Sequence, residues 1–164
     1  MHMKAIRVGE FGSPDVLELK EVSRPEPKPG QILVKVRAAG VNFIDVYHRT
    51  GQYPAALPMT PGMEAAGEVA AVGMDVSRFE RGDRVAYAME PGSYAEYVTV
   101  PADKAVLVPD RVDLPQAAAV MLQGMTAHYL TQTTYPLQEH EVVLIHAAAG
   151  GVGSLLVQMA SLRG

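Results

Sequence analysis

The feature that most constrains this chain is a glycine cluster near its C-terminal end, between an apolar run and an amphipathic segment. The run EVVLIHA spans Glu141 to Ala147, and GGVG follows at 150–153. A continuous apolar run suits a parallel strand that is covered on both faces. The apolar positions after the turn have the spacing of one helix face: Val152, Leu155, Leu156 and Met159. The segment therefore predicts strand, tight turn and helix, in that order.

The chain before Asp113 has a different character, with short β-branched runs separated by glycine and proline. Seven candidate strands follow one another: KAIRV, VLELKEV, QILVKVRAAG, EAAGEVAAVG, DRVAYAM, SYAEYVTV and AVLVP. This pattern is typical of an irregular barrel rather than of repeated βαβ units. At Asp113, an N-cap residue with Pro115 in the first turn and Gln116 three positions on predicts a long helix. The fold class is thus a mainly β barrel (α+β), then the first β–α unit of an α/β domain.

Composition excludes several kinds of chemistry. The 164 residues include no cysteine, so disulfides, thiolate zinc ligands and cysteine nucleophiles are impossible. A formal charge of −4 without basic clusters argues against nucleic acid as a partner. No signal peptide and no apolar stretch of ~18 residues is present, which predicts a cytoplasmic protein without a membrane span.

The glycine turn has a chemical interpretation and a purely structural one. Small residues let the backbone approach a pyrophosphate, while free amides and the helix dipole attract its charge. Ala148 replaces the usual first glycine of that motif. The strand before and the helix after favour dinucleotide binding, and the alternative is a corner that needs glycine only for packing.

Five ordered blocks carry a resemblance to a known family: GVNFIDVYHRTGQYP, PGMEAAGEV, GDRVAY, LQGMTAHYL and HAAAGGVG. Together they resemble the zinc-free quinone oxidoreductases of the medium-chain dehydrogenase/reductase superfamily, from Met3 to Gly164. The resemblance implies a GroES-like catalytic domain at 1–122 and a truncated start of a Rossmann dinucleotide-binding domain at 123–164. It also implies NADPH in the cleft between the domains and a homodimeric parent.

The same resemblance argues against a metal. Zinc-using relatives place ligands near Asn42, at Met63 and near Gln123, and none of these residues is a cysteine or histidine here. A thioether is a poor zinc ligand compared with imidazole or thiolate. Asp45 and His48 lie three positions apart, but no third ligand is near them in sequence, so no metal site is predicted.

Without zinc, the protein must hold the acceptor over the nicotinamide and stabilise charge on the acceptor oxygen with hydrogen-bond donors. The resemblance implies Asn42 and Tyr53 as catalytic residues. It implies the following substrate contacts: Asn42, Tyr47, Tyr53 and Tyr129. The implied cofactor contacts are Asn42, Gln123, Thr126, Ala149, Gly150, Gly151, Val152 and Gly153.

Each main candidate has a structural alternative. Asn42 is also a good N-cap for FIDVYHR, and Tyr53 before Pro54 would pack its own loop. Thr126 would bond back to its helix, and Tyr129 would belong to the core beside Met125. For Glu64, which follows the lost zinc histidine, a satisfied structural carboxylate is the favoured interpretation.

Three functions remain open at this level. The first is NADPH-dependent quinone reduction, and the second is an enoyl-type reductase in which Tyr53, within Gly51-Gln52-Tyr53, donates the proton. The third is a non-catalytic GroES-like binding module.

The residue that selects NAD or NADP lies ~20 positions beyond the glycines, and Gly164 precedes it. We therefore expect the isolated chain to be inactive, to bind NADPH weakly or not at all, and to self-associate.

Overall fold

All seven strands predicted before Asp113 form, and they lie in the first of two structural units. A computed structural model describes residues 1–164 and divides them into Met1–Ala119 and Val120–Gly164. The strands are β1 His2–Arg7, β2 Glu18–Ser23, β3 Gln31–Ala39, β4 Glu64–Val72, β5 Arg84–Ala88, β6 Tyr97–Pro101 and β7 Ala105–Leu107. The helices are α1 Phe43–Thr50, α2 Leu114–Tyr129 and α3 Gly151–Arg163. None of these helices is long and apolar enough to cross a bilayer.

The strands form two antiparallel sheets. Strands β1 and β2 pair with each other, and the larger sheet has the order β6-β3-β4-β5-β7. Backbone hydrogen bonds join the sheets where β1 meets the chain before β6: Ile6 N–H donates to Tyr94 O at 2.8 Å, and Glu96 N–H donates to Lys4 O at 3.0 Å. The mainly β, barrel-like first part predicted from the spacing of glycine and proline is confirmed.

The core of the first unit lies against one face of the larger sheet. Its residues are Ile32, Val34, Ala65, Val69, Phe79, Val85, Tyr87, Val98, Val100 and Ala105. Strand β6 shows the principle, because Val98 and Val100 are buried while Tyr97, Thr99 and Pro101, which alternate with them, are partly exposed. This alternation follows from the two-residue period of a strand and buries one β-branched face.

Gly67 allows β3 and β4 to approach closely near the middle of the sheet. Val36 is paired with Gly67, and the register between the strands shifts just after Val36. A Cβ atom at Gly67 would lie 2.1 Å from the carbonyl oxygen of Lys35. The obstacle is backbone, which cannot rotate aside, so this pairing depends on glycine.

Helix α2 runs from the end of the first unit into the second, and α3 lies within the second unit, which lacks the predicted strand. The N-cap prediction for α2 is confirmed, since Gln116 N–H donates to Asp113 Oδ1 at 2.7 Å, and α3 begins at Gly151 as expected. The run Glu141–Ala147 was predicted to be a strand, and that prediction is wrong: it contains no strand, and none of the seven strands pairs with it. A strand needs a hydrogen-bonded neighbour, whereas a helix bonds to itself. Leu144 within the run is 83% exposed.

The close approach at Gly67 gives a stability prediction. We expect Gly67→Ala to lower the free energy of unfolding by about 2–4 kcal/mol, because the new methyl group overlaps a fixed carbonyl. Gly9→Ala is the matched control, since a Cβ atom there meets nothing within 4 Å, and its effect should stay within about 0.5 kcal/mol. Urea unfolding followed by circular dichroism measures both. Equal stability of the two variants would contradict the assigned β3–β4 contact.

Candidate functional site

Asn42 lies at the start of α1 with its backbone extended, at φ −128° and ψ 152°. Its backbone N–H donates to Asp45 Oδ2 at 2.9 Å, the half of a capping box in which the third helical residue reaches back to the cap. At the other end, Gly51 closes the helix in the left-handed conformation at φ 77°. The N-cap alternative for Asn42 is therefore realised, and contact with a ligand stays a prediction.

The side chain of Asn42 points to Glu64, the first residue of β4. Nδ2 of Asn42 donates to Glu64 Oε1 at 2.7 Å, and both residues are buried. The expectation that Glu64 is a satisfied carboxylate agrees with this contact, which comes from a side chain 22 positions away.

Asp45 connects α1 to Tyr94, a residue that sequence reasoning did not single out. The Tyr94 hydroxyl donates to Asp45 Oδ2 at 2.7 Å. A Cβ atom at Gly62 would lie 2.6 Å from the Tyr94 ring, so glycine makes room for that ring. Burial raises the pKa of Tyr94 above its ordinary value, and the hydrogen bond to Asp45 and the charges of Asp45 and Glu64 raise it further. An Asn-x-x-Asp pattern before an apolar helix is the sequence signal for Asp45, whereas Tyr94 had none.

The predicted tyrosines Tyr47 and Tyr53 lie together. Their ring centroids are 5.0 Å apart, and Tyr53 N–H donates to Tyr47 O at 3.1 Å. Phe43 lies 5.2 Å from Tyr47, and His48 lies 6.0 Å from Tyr53. Tyr53 thus packs on α1 and is still 43% exposed, and its role toward a ligand stays a prediction.

An open, mainly apolar pocket of about 330 Å³ lies beside this helix and the loop after Tyr53. Its lining is His48, Pro54, Ala55, Ala56, Met59, Thr60, Pro61, Met63 and Pro91. Met63, where zinc-using relatives have a histidine, is thus part of an apolar wall. Sequence reasoning missed the contributions of Met59 and Pro91, because proline and methionine carry no chemical signature.

No cluster of three or more histidine or acidic side chains in the chain is arranged to hold a metal ion. Asp45 accepts hydrogen bonds from Asn42 and Tyr94, and His48 faces the Tyr53 ring. The two residues that could be imagined as a metal pair therefore have separate structural contacts.

In the second unit, the glycine turn leads directly into α3. The first helical hydrogen bond runs from Ser154 N–H to Gly150 O at 2.8 Å, so the amides of residues 151–153 have no partner within the helix. A Cβ atom at Gly153 would lie 2.1 Å from Ala147 O, and one at Gly151 would lie 2.1 Å from Gln123 Oε1. The packing role of the glycines is thus real. It coexists with accessible backbone, because Ala149, Gly150 and Gly151 are exposed.

The other second-unit candidates lie on α2. Gln123 is in contact with the glycine turn, as above. Thr126 Oγ1 donates to Leu122 O at 2.8 Å, which is the back-bonding alternative. Tyr129 and Met125 are 50% and 47% exposed, so neither belongs to a core. The roles assigned to these residues toward a ligand stay predictions.

Comparison with known proteins defines the family. Residues 28–110, half of the chain, match the alcohol dehydrogenase GroES-like domain, and the chain belongs to this family. It is 50% identical to a quinone oxidoreductase from Pseudomonas aeruginosa over 98% of this chain and 50% of that protein. It is 40% identical to human quinone oxidoreductase, with 99% and 50% covered.

The fold similarity is equally close. The structure of Escherichia coli quinone oxidoreductase complexed with NADPH superposes with a TM-score of 0.96, at 42% identity over 98% of this chain and 50% of that one. The similarity to quinone oxidoreductases predicted from the five sequence blocks is confirmed. The chain spans about half the length of the curated relatives it matches.

The Tyr94–Asp45 contact predicts a specific pH dependence. Because the pKa of Tyr94 is higher in the folded state than its unfolded value of ~10, its contribution to stability is complete below about pH 10 and is lost as the pH rises. We expect Tyr94→Phe to reduce the fall in unfolding free energy between pH 10 and 12. Part of that fall should remain in Tyr94→Phe, because burial also raises the pKa of Tyr87.

Urea unfolding at pH 8 to 12 measures the effect, with Tyr53→Phe as the control at an exposed ring. Parallel pH profiles for wild type and Tyr94→Phe would show that Tyr94 is not held protonated by the fold.

Proposed function

We propose that the full-length protein is an NADPH-dependent quinone oxidoreductase that works without zinc. The strongest support is the similarity to quinone oxidoreductases over almost the whole of this chain, including one solved with NADPH. In this proposal residues 1–122 form the catalytic domain, and residues 123–164 begin the dinucleotide-binding domain. A homodimer, a cytoplasmic location and inactivity of the isolated 164 residues are part of the same proposal.

The start of α3 fits a dinucleotide. Three amides without helical partners begin α3 after a turn whose residues Ala149, Gly150 and Gly151 are exposed, and the first turn of α3 carries no acidic side chain. This arrangement suits the two negative charges of a pyrophosphate. Ala149, Gly150, Gly151, Val152 and Gly153 would hold it, and Gln123 and Thr126 are the proposed contacts on α2.

NADPH supplies the hydride when bound, so the chain's own residues have to hold the acceptor and stabilise charge on its oxygen. The apolar pocket beside Met63 offers a surface of prolines and methionines to a flat quinone ring. Asn42 is the buried polar group at the start of α1, and Tyr47 and Tyr53 present aromatic faces with hydroxyl groups. In this proposal Tyr129 contributes a further acceptor contact.

An enoyl-type reductase is the second candidate, and the observation that favours it is the position of Tyr53. Its ring packs on Tyr47 and remains 43% exposed. Hydride addition to an activated alkene leaves negative charge on the neighbouring carbon. A hydroxyl held in this way is suited to donate a proton to that carbon.

The role of Asn42 can be separated from its N-cap role. Asn42→Ser keeps an N-cap side chain of nearly equal quality but lacks the carboxamide. We expect kcat/KM for NADPH-dependent quinone reduction by the full-length protein to fall at least about tenfold, the effect of losing one charge-stabilising donor being of that order or larger. The N-cap is kept, but buried Glu64 loses the donor Nδ2 of Asn42, so the melting temperature should fall while the protein stays folded. Steady-state kinetics and calorimetry measure these, and unchanged kcat/KM would remove Asn42 from the site.

The two candidate functions separate at Tyr53. For a quinone oxidoreductase we expect Tyr53→Phe to retain quinone turnover within about threefold, because the ring contact with Tyr47 is preserved. For an enoyl-type reductase the same variant should lose alkene reduction by about 10²-fold or more. Rates with a benzoquinone and with an α,β-unsaturated ketone measure both. Unaltered alkene reduction would remove Tyr53 as proton donor.

A further inference from the structure

Glu64 is completely buried, and its carboxylate touches the proposed acceptor-site asparagine. Its relative exposure is 0%, and Oε1 lies 2.7 Å from Nδ2 of Asn42. A carboxylate without hydrogen-bond donors is costly in such surroundings, and a charge-assisted bond is roughly twice as strong as a neutral one. The Asn42–Glu64 contact therefore offsets part of the cost of burying this carboxylate.

The chain makes room for this carboxylate with Gly40. A Cβ atom at Gly40 would lie 2.0 Å from Glu64 Oε1 and 2.5 Å from Glu64 Cδ. Gly40 N–H also donates to the backbone oxygen of Glu64 at 3.2 Å. The end of β3 is thus shaped around the one carboxylate oxygen that accepts the bond from Asn42.

A second carboxylate fixes the backbone of Asn42. Asp45 Oδ2 accepts the Asn42 backbone N–H at 2.9 Å and the Tyr94 hydroxyl at 2.7 Å. Asn42 is therefore held at two points by two different buried acids, Asp45 at its main chain and Glu64 at its side chain. An N-cap role alone explains the first of these contacts and not the second.

We propose that Glu64 is a positioning residue that sets the orientation of the Asn42 carboxamide in the site. An ionised carboxylate only accepts hydrogen bonds, so the nitrogen end of the amide has to face it. Rotation of the carboxamide is thereby prevented, and the group meets its ligand in one orientation. This inference rests on the proposed function of Asn42.

Two substitutions of Glu64 distinguish positioning from simple packing, and one of Gly40 adds to them. In Glu64→Met the side chain has a similar length but cannot accept the bond from Asn42, and we expect kcat/KM for quinone reduction to fall about tenfold. In Glu64→Gln the side-chain oxygen can still accept it, so most of the activity should return. Gly40→Ala, which pushes against the same oxygen without altering Glu64, should give a smaller loss of the same kind.

The decisive measurement is a double-mutant cycle with Asn42→Ser in the full-length protein. If Glu64 acts through the carboxamide, Glu64→Met has no further effect on kcat/KM once that carboxamide is gone. If Glu64 only supports the fold, the same tenfold loss appears in both backgrounds, and the proposal is overturned. Where Glu64→Met does not fold, Gly40→Ala takes its place in the cycle.

A readout independent of activity is the ¹⁵N resonance of the Asn42 side-chain amide, identified by its absence in Asn42→Ser. We expect Glu64→Met to shift it markedly and Glu64→Gln to shift it less. An unchanged resonance in Glu64→Met overturns the positioning role whatever the protein reduces. A shifted resonance together with full activity of Asn42→Ser supports the assigned geometry and overturns only the proposed function of Asn42.

Discussion

Two buried carboxylates, Asp45 and Glu64, link separate parts of the first unit through the hydrogen bonds that they accept. Moving a carboxylate from water into protein costs several kcal/mol, and hydrogen-bond donors have to offset that cost. Asn42 and Tyr94 are the donors around Glu64 and Asp45. These donors come from separate parts of the chain, so the network joins α1, the start of β4 and the segment before β6. The same network gives the candidate site its rigid side.

The pocket beside Met63 has different physical properties. The loop that follows Tyr53 lines it with prolines and methionines, whose contacts are dispersive and tolerate change. A fixed polar group beside an adaptable apolar surface is suited to a flat acceptor whose oxygen has to be placed accurately while its substituents vary. Met63, at the position of a histidine in zinc-using relatives, agrees with an apolar pocket, because it lines that pocket and offers no imidazole.

Local sequence signals predicted the elements well and the site only partly. The strands and helices follow from alternation, from Asp113 as an N-cap and from glycine punctuation, which all act within a few residues. The Asn42–Glu64 bond joins residues 22 positions apart, and Tyr94 reaches Asp45 across 49 positions. Such pairs depend on how β3, β4 and β6 register against one another, and periodicity carries no information about that. Gly40 and Gly62 show the same limit, since each clears space for a side chain far away in the sequence, Glu64 and Tyr94 respectively.

The one failed structural prediction, the strand Glu141–Ala147, shows which parts of a nucleotide-binding unit are local. A strand is held by hydrogen bonds to neighbouring strands, so an apolar run forms a strand only when another strand lies beside it. The turn and α3 need no such partner: Gly153 lets the turn pack on the helix, and the helix supplies its own hydrogen bonds. The amides that would receive a pyrophosphate are therefore arranged by the turn and helix alone.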